Sequence, residues 1–138
     1  MIEFEIDCIP PKATAQQKGI MVRGGRPHFF EKKKVRESKD MLSILMRPHV
    51  PSEPLDGPLR LTVVWTYPFR ASEPKKNRLD GPIPCDTKPD IDNLSKSFCD
   101  VMTKLGFWKD DSQVYQMLWT KRWGDKPGIR VTVSAPTR

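Results

Sequence analysis

The stretch Lys88 to Val114, KPDIDNLSKSFCDVMTKLGFWKDDSQV, decides how this chain is read. Ile91, Leu94, Phe98, Val101, Met102 and Leu105 recur at helical spacing, which predicts an amphipathic helix. Gly106 stands where a left-handed residue closes such a helix, and Phe107 is its hydrophobic companion. The same stretch holds five aspartates, in a chain whose formal net charge is +7 and whose pI is about 9.5. A basic balance of this size points to nucleic acid or another polyanion as partner. Carboxylates gathered round one helix run against it and need a reason.

Working outward, Leu59, Leu61, Val63, Trp65 and Tyr67 alternate as a strand that ends at Pro68. Between that strand and the helix lies a long connection rich in proline and charge, without regular period, of the kind that is functional or disordered in small domains. After the helix, Val114 to Trp123 reads as a strand, residues 124–128 as a turn, and Ile129, Val131 and Val133 as a last strand. Nearer the N-terminus, Ile2, Phe4, Ile6 and Cys8 alternate with Glu3, Glu5 and Asp7 as a half-buried strand stopped at Pro10-Pro11. Pro11 to Phe30 shows no sustained period, and Lys12, Lys18, Arg23, Gly24, Gly25 and Arg26 read as a basic loop suited to phosphates. Lys32 to Met46 carries Val35, Met41, Leu42 and Leu45 at near-helical spacing behind a lysine-rich start, and Pro48 closes it. The expected architecture is one α+β domain over residues 1–138, two main helices packed on a small mixed or antiparallel sheet.

Composition removes several classes of function. Cys8, Cys85 and Cys99 show no paired spacing, so neither a disulfide framework nor a zinc ribbon is indicated, and a reducing cytoplasm is the simplest compartment. With only His28 and His49 to offer imidazole, a metal here would be a hard cation held by oxygen. No stretch has the length of a membrane span, and the opening residues lack the apolar core of a signal peptide.

Asp90 and Asp92 lie on the approach to the helix, Lys96 one turn beyond Asp92 on the same face, and Asp110 and Asp111 after the helix has ended. Asp111 can approach the first two if the loop after Gly106 folds back. One reading makes these acids helix caps and surface ion pairs, Asp92, Lys96 and Asp100 being four residues apart. The pattern is not an EF-hand, which needs glycine at the sixth loop position and glutamate at the twelfth. The other reading is phosphodiester cleavage, in which carboxylates hold a divalent cation that activates water and neutralises developing charge. On that reading the acids hold metal and the basic remainder holds DNA.

The run Asp90-Ile91-Asp92-Asn93-Leu94, then Lys96, Asp100 and Leu105 to Val114, closely resembles the RusA-type Holliday junction resolvases of bacteria, phages and prophages. A more diffuse likeness covers most of the chain, including Gly25 to Phe30 before the lysine-rich helix. The resemblance implies a small α+β homodimer that resolves four-way DNA junctions by paired nicks in recombination and repair, using Mg²⁺ or Mn²⁺ in a bacterial cytoplasm. It implies Asp90, Asp92 and Asp111 as metal ligands, Lys96 as the lysine that assists catalysis, and a supporting role for Asp110. Asp100 is assigned to helix structure or to pairing with Lys96. Lys75, Lys76, Arg78 and Lys88 are expected to bind the phosphate backbone, with Lys32, Lys33, Lys34, Lys121 and Arg122 as secondary candidates. Phe107 and Trp108 are weighed between core packing and stacking on unpaired bases, and Trp119 and Trp123 between core and dimer surface. The alternatives are a DNA-binding protein that does not cut, and a nuclease for other branched DNA.

Overall fold

The computed structural model describes residues 1–12, 18–23, 26–31 and 33–136, the segments 18–23 and 26–31 by their backbone alone. In chain order its elements are strands β1 (Ile2–Ile6), β2 (Lys18–Arg23) and β3 (Arg26–Glu31), helix α1 (Lys33–Met46), strand β4 (Leu59–Pro68), a single helical turn α2 (Lys75–Arg78), strand β5 (Ile83–Pro84), helix α3 (Ile91–Leu105), and strands β6 (Val114–Gly124) and β7 (Gly128–Ser134). Five strands form one mixed sheet in the order β1-β7-β4-β6-β5. Its pairs are antiparallel except β4 with β6, which run parallel because α3 is the crossover between them.

The alternation of β4 sets the inner face of the sheet: Leu59, Leu61, Val63, Trp65 and Tyr67 are buried, as are Phe4 and Ile6 of β1 and Ile129, Val131 and Val133 of β7. α3 lays Leu94, Phe98, Val101 and Met102 on that face, and α1 adds Leu42 and Met46. Three rings fasten α3 to the parallel pair. Trp65 lies 5.3 Å from Trp119 and 5.9 Å from Phe98, and Phe98 meets Trp119 edge-on at 5.6 Å. Each such aromatic pair adds roughly 0.5–1.5 kcal/mol beyond its buried area. α3 stops where the sequence places its end: Gly106 takes φ +92°, its N–H reaches Thr103 O at 3.1 Å, and the Phe107 N–H reaches Met102 O at 3.1 Å. That is a Schellman closure, which turns the chain back along the helix.

Several expectations change. Residues 18–31, read as an irregular loop, contain an antiparallel pair registered from Lys18↔Glu31 to Arg23↔Arg26. The Gly24-Gly25 dipeptide between the two strands is a hairpin signal that the basic composition obscured. Lys32, Gly24, Gly25 and the side chains of Lys18, Arg23, Arg26 and His28 lie outside the described residues. The connection after β4 is not wholly irregular, since it carries α2 and the two-residue β5. Phe107 and Trp108 are fully buried, Phe107 against Phe4 at 5.8 Å and Trp108 with its Nε1 donating to Thr103 Oγ1 at 2.7 Å, so neither offers a face to an unpaired base. Trp119 and Trp123 are likewise core.

Candidate active site

The first arm of the site is the start of α3. Asp90 takes an extended conformation (φ −71°, ψ 150°), and its carbonyl accepts from Leu94 N at 3.0 Å. Its carboxylate caps nothing. Asp92 lies in the first turn, exposed, where the positive end of the helix favours an anion. Lys96 is also exposed, and among the described residues it forms no ion pair with Asp92 or Asp100. Asp100 pairs with Lys39 of α1 at 3.0 Å and, within α3, with Lys104 at 3.7 Å, which favours its assignment to helix structure over pairing with Lys96. Partial burial pushes the Asp100 carboxyl up, but the hydrogen bond and charge of Lys39, joined by Lys104, outweigh that and hold it below its usual range. Among the described residues, the reading of Asp90 and Asp92 as a cap and an ion pair is therefore not realised.

This arm is tied to β6. The Lys121 ammonium donates to the carbonyls of Thr87 and of Pro89, the latter at 2.8 Å, on either side of the cis Lys88–Pro89 bond. Lys121 also accepts, through its backbone carbonyl, from Cys85 N at 3.0 Å. Lys121 is thus turned toward backbone carbonyls rather than toward the phosphate expected of it, and the Arg122 Nε is engaged by Thr66 Oγ1 at 3.0 Å.

The second arm is the turn after α3, built as a capping box. Ser112 N donates to Asp110 Oδ1 at 2.9 Å, and Gln113 Oε1 accepts from Asp110 N at 3.2 Å and Lys109 N at 3.0 Å. Hydrogen bonding from Ser112 holds the Asp110 carboxyl below its ordinary range. The Gln113 Nε2 donates to Leu55 O at 3.0 Å and Gly57 O at 2.9 Å, tying the turn to the segment that precedes β4. Sequence reasoning gave Gln113 no role, although Asp-x-x-Gln before an apolar run is a capping-box spacing.

Asp111 follows, exposed, and the folded-back loop sets it over the middle of α3. Ser95, Lys96, Cys99, Asp111, Tyr115 and Met117 line one surface depression of about 330 Å³. Asp92, Lys96 and Cys99 share one helix face, with Asp92 about 6 Å along the axis from Lys96. Burial, then the charges of Asp111 and Asp100, push the Cys99 thiol up to about 12, leaving a neutral thiol under the depression. Among the described residues, no three His, Cys, Asp or Glu side chains converge closely enough to hold a metal ion. In kind, however, the donors suit a hard divalent cation. They are carboxylate oxygens, with the Asn93 Oδ1 buried and without a partner among the described residues, and Mg²⁺ commonly uses one or two carboxylates and keeps its waters.

Of the residues expected to bind phosphate, Lys75 and Lys76 project from α2 and Lys88 stands exposed beside Asp90. Arg78 is partly engaged in shaping its own loop, its guanidinium donating to Glu73 O at 3.3 Å and Arg70 O at 3.0 Å.

Residues 9–134 match the family described as "Endodeoxyribonuclease RusA". The chain is 31% identical to a crossover junction endodeoxyribonuclease of Lactococcus phage r1t, over 96% of this chain and 95% of that one. It is 28% identical to the uncharacterised protein YqaN of Bacillus subtilis, over 93% and 96%. A shorter stretch, 30% of this chain and 34% of the relative, is 46% identical to the crossover junction endodeoxyribonuclease RusA of Escherichia coli K12.

Proposed function

Because the chain belongs to the RusA endodeoxyribonuclease family, we propose that it resolves four-way DNA junctions by paired nicks, as a homodimer dependent on Mg²⁺, with Mn²⁺ able to substitute. The observation that carries this reading is the depression that Lys96 and Asp111 both line, with Asp92 on the same face of α3 and the capping and pairing duties taken by Asp110 and Asp100. Carboxylates that cap nothing and form no ion pair among the described residues, near an exposed lysine, suit metal-assisted phosphodiester hydrolysis.

Asp90, Asp92 and Asp111 are the proposed ligands of the divalent cation, which would have to draw the two arms together, since the three carboxylates do not converge among the described residues, and which would supply charge neutralisation at the scissile phosphate and a more acidic water. Lys96 donates to the phosphate oxygens as negative charge grows on them. Lys75, Lys76 and Lys88 hold the neighbouring backbone and Arg78 assists from its loop, so affinity falls steeply with salt. A four-way junction presents two equivalent strands, and an isologous dimer presents two copies of the site to them. No described helix is long and apolar enough to cross a membrane, and a chromosomal or phage DNA substrate is what supports a cytoplasmic location on this reading.

The test follows binding and cleavage of a labelled four-way junction in the same samples, with wild type, Asp92→Asn and Asp111→Asn. Wild type is expected to nick opposing strands in Mg²⁺, and both variants to bind without cutting. Binding without cutting by wild type, in Mg²⁺ and in Mn²⁺, would make the protein a junction-binding module. Competition by flap, fork and duplex DNA fixes the substrate, and a flap cut faster than the junction would replace resolution by another branched-DNA activity.

A further inference from the structure

We infer that Lys121 is a positioning residue for the cleavage site: from β6 it sets the place of the Asp90 and Asp92 arm by holding the backbone that leads into α3. The inference rests on the nuclease reading above. The ammonium donates to two carbonyls, those of Thr87 and Pro89, which lie on either side of Lys88 and immediately before Asp90. The donor and its acceptors are 34 and 32 residues apart, so these bonds bridge two separate elements. The Cys85 N–H to Lys121 O bond, 3.0 Å, adds a second tie from the same residue to the same segment.

The consequence is geometric. β6 begins directly after the turn that carries Asp111, and it holds the Asp90 segment further along through Lys121. Both carboxylate arms are therefore referred to one strand, itself paired to β4 along its length. Removing the ammonium releases the 87–89 carbonyls while leaving the Cys85 to Lys121 backbone bond intact, so the segment stays paired and the Asp90 approach loosens. Lys88, exposed at the same turn, remains the residue that faces phosphate.

The experiment compares wild type, Lys121→Met and Lys121→Arg as full chains. It measures single-turnover junction cleavage against Mg²⁺ concentration, Mn²⁺ affinity by calorimetry without DNA, junction affinity in EDTA, and the thermal midpoint. K121M is expected to lose about 10–100-fold in Mn²⁺ affinity and to need correspondingly more Mg²⁺, the cost typical of losing a group that orients metal ligands. Its junction affinity should stay within about twofold, since no phosphate contact is removed. K121R, which can also donate to two carbonyls, should recover most of the loss.

Unchanged metal requirement in K121M, with weaker junction binding and a salt slope smaller by about one, would make Lys121 a phosphate ligand and overturn the inference. Lower thermal midpoints in both variants with metal affinity unchanged would reduce it to a structural residue, with the same effect. If K121M does not fold, K121R against Lys121→Gln reads the same contrast. A wild type that does not cut sinks the nuclease reading and this inference together, whereas a cutting wild type matched by K121M sinks this inference alone.

Discussion

The two arms of the site are held in different ways. The turn carrying Asp110 and Asp111 is fastened largely by local bonds, Ser112 to Asp110 and Gln113 back to Lys109 and Asp110. In the arm carrying Asp90 and Asp92, the carboxylate at the helix start makes no capping bond, among the described residues neither side chain is fastened locally, and the backbone just before it is held by Lys121 of another element. The difference shows how a folded chain keeps carboxylates exposed at a site without letting the site drift. In the adjacent pair Asp110 and Asp111, Asp110 accepts from the Ser112 N–H and Asp111 stands exposed, whereas Asp90 and Asp92 are both exposed at the start of α3, and the carbonyls of Thr87 and Pro89 that precede them are held by Lys121.

The sharpest way to break this comparison is to exchange the roles within the second arm. Asp111→Asn should abolish junction cleavage, while Asp110→Asn, whose amide oxygen still accepts from Ser112, should cut at close to the wild-type rate. Equal loss in the two would mean that the capping carboxylate is also a ligand. Next in size is Phe98→Ala, which removes the ring under α3 that meets both Trp65 and Trp119. It should cost about 3–5 kcal/mol in urea unfolding, enough to loosen both arms at once. A smaller value would show that the two remaining indoles close over the gap.

Gln113→Ala tests the second arm alone. Loss of its two donors to Leu55 and Gly57 and of its acceptor for two backbone N–H groups should destabilise by about 1–3 kcal/mol and slow cleavage, with metal-free junction binding unchanged. Stability equal to wild type would show that water replaces the amide. The smallest effect belongs to the Lys39–Asp100 pair away from both arms, worth about 1 kcal/mol in a double-mutant cycle for a pair whose aspartate is half exposed and whose lysine is largely covered. Its sign against pH is set by the depressed Asp100 value. The folded state binds the proton less readily than the unfolded chain, so the pair's contribution is complete above about pH 4 and is lost as pH falls through the folded value. Asp100→Asn should therefore flatten the acid limb of the stability curve slightly and leave cleavage at neutral pH unchanged.

What the residues determined by themselves is everything written in short-range period. The alternation of Leu59 to Tyr67 became β4, the helical spacing from Ile91 became α3, and Gly106 closed it with the positive φ that its position required. The mixed α+β sheet follows from that order of elements, with the parallel pair produced by the α3 crossover. The Asp110 cap, read from sequence only as a supporting role, is equally local, its partners being two and three residues away. Tertiary structure decided what short range does not contain. Phe107 and Trp108 are core because the chain folds back at the Schellman turn, Asp100 turns to Lys39 because α1 packs beside α3, and Lys121 faces inward because β6 runs past the Thr87 to Pro89 carbonyls. A charged side chain looks the same in a sequence whether it meets a phosphate or a carbonyl. Its partner is chosen by which distant backbone the topology brings within hydrogen-bond reach.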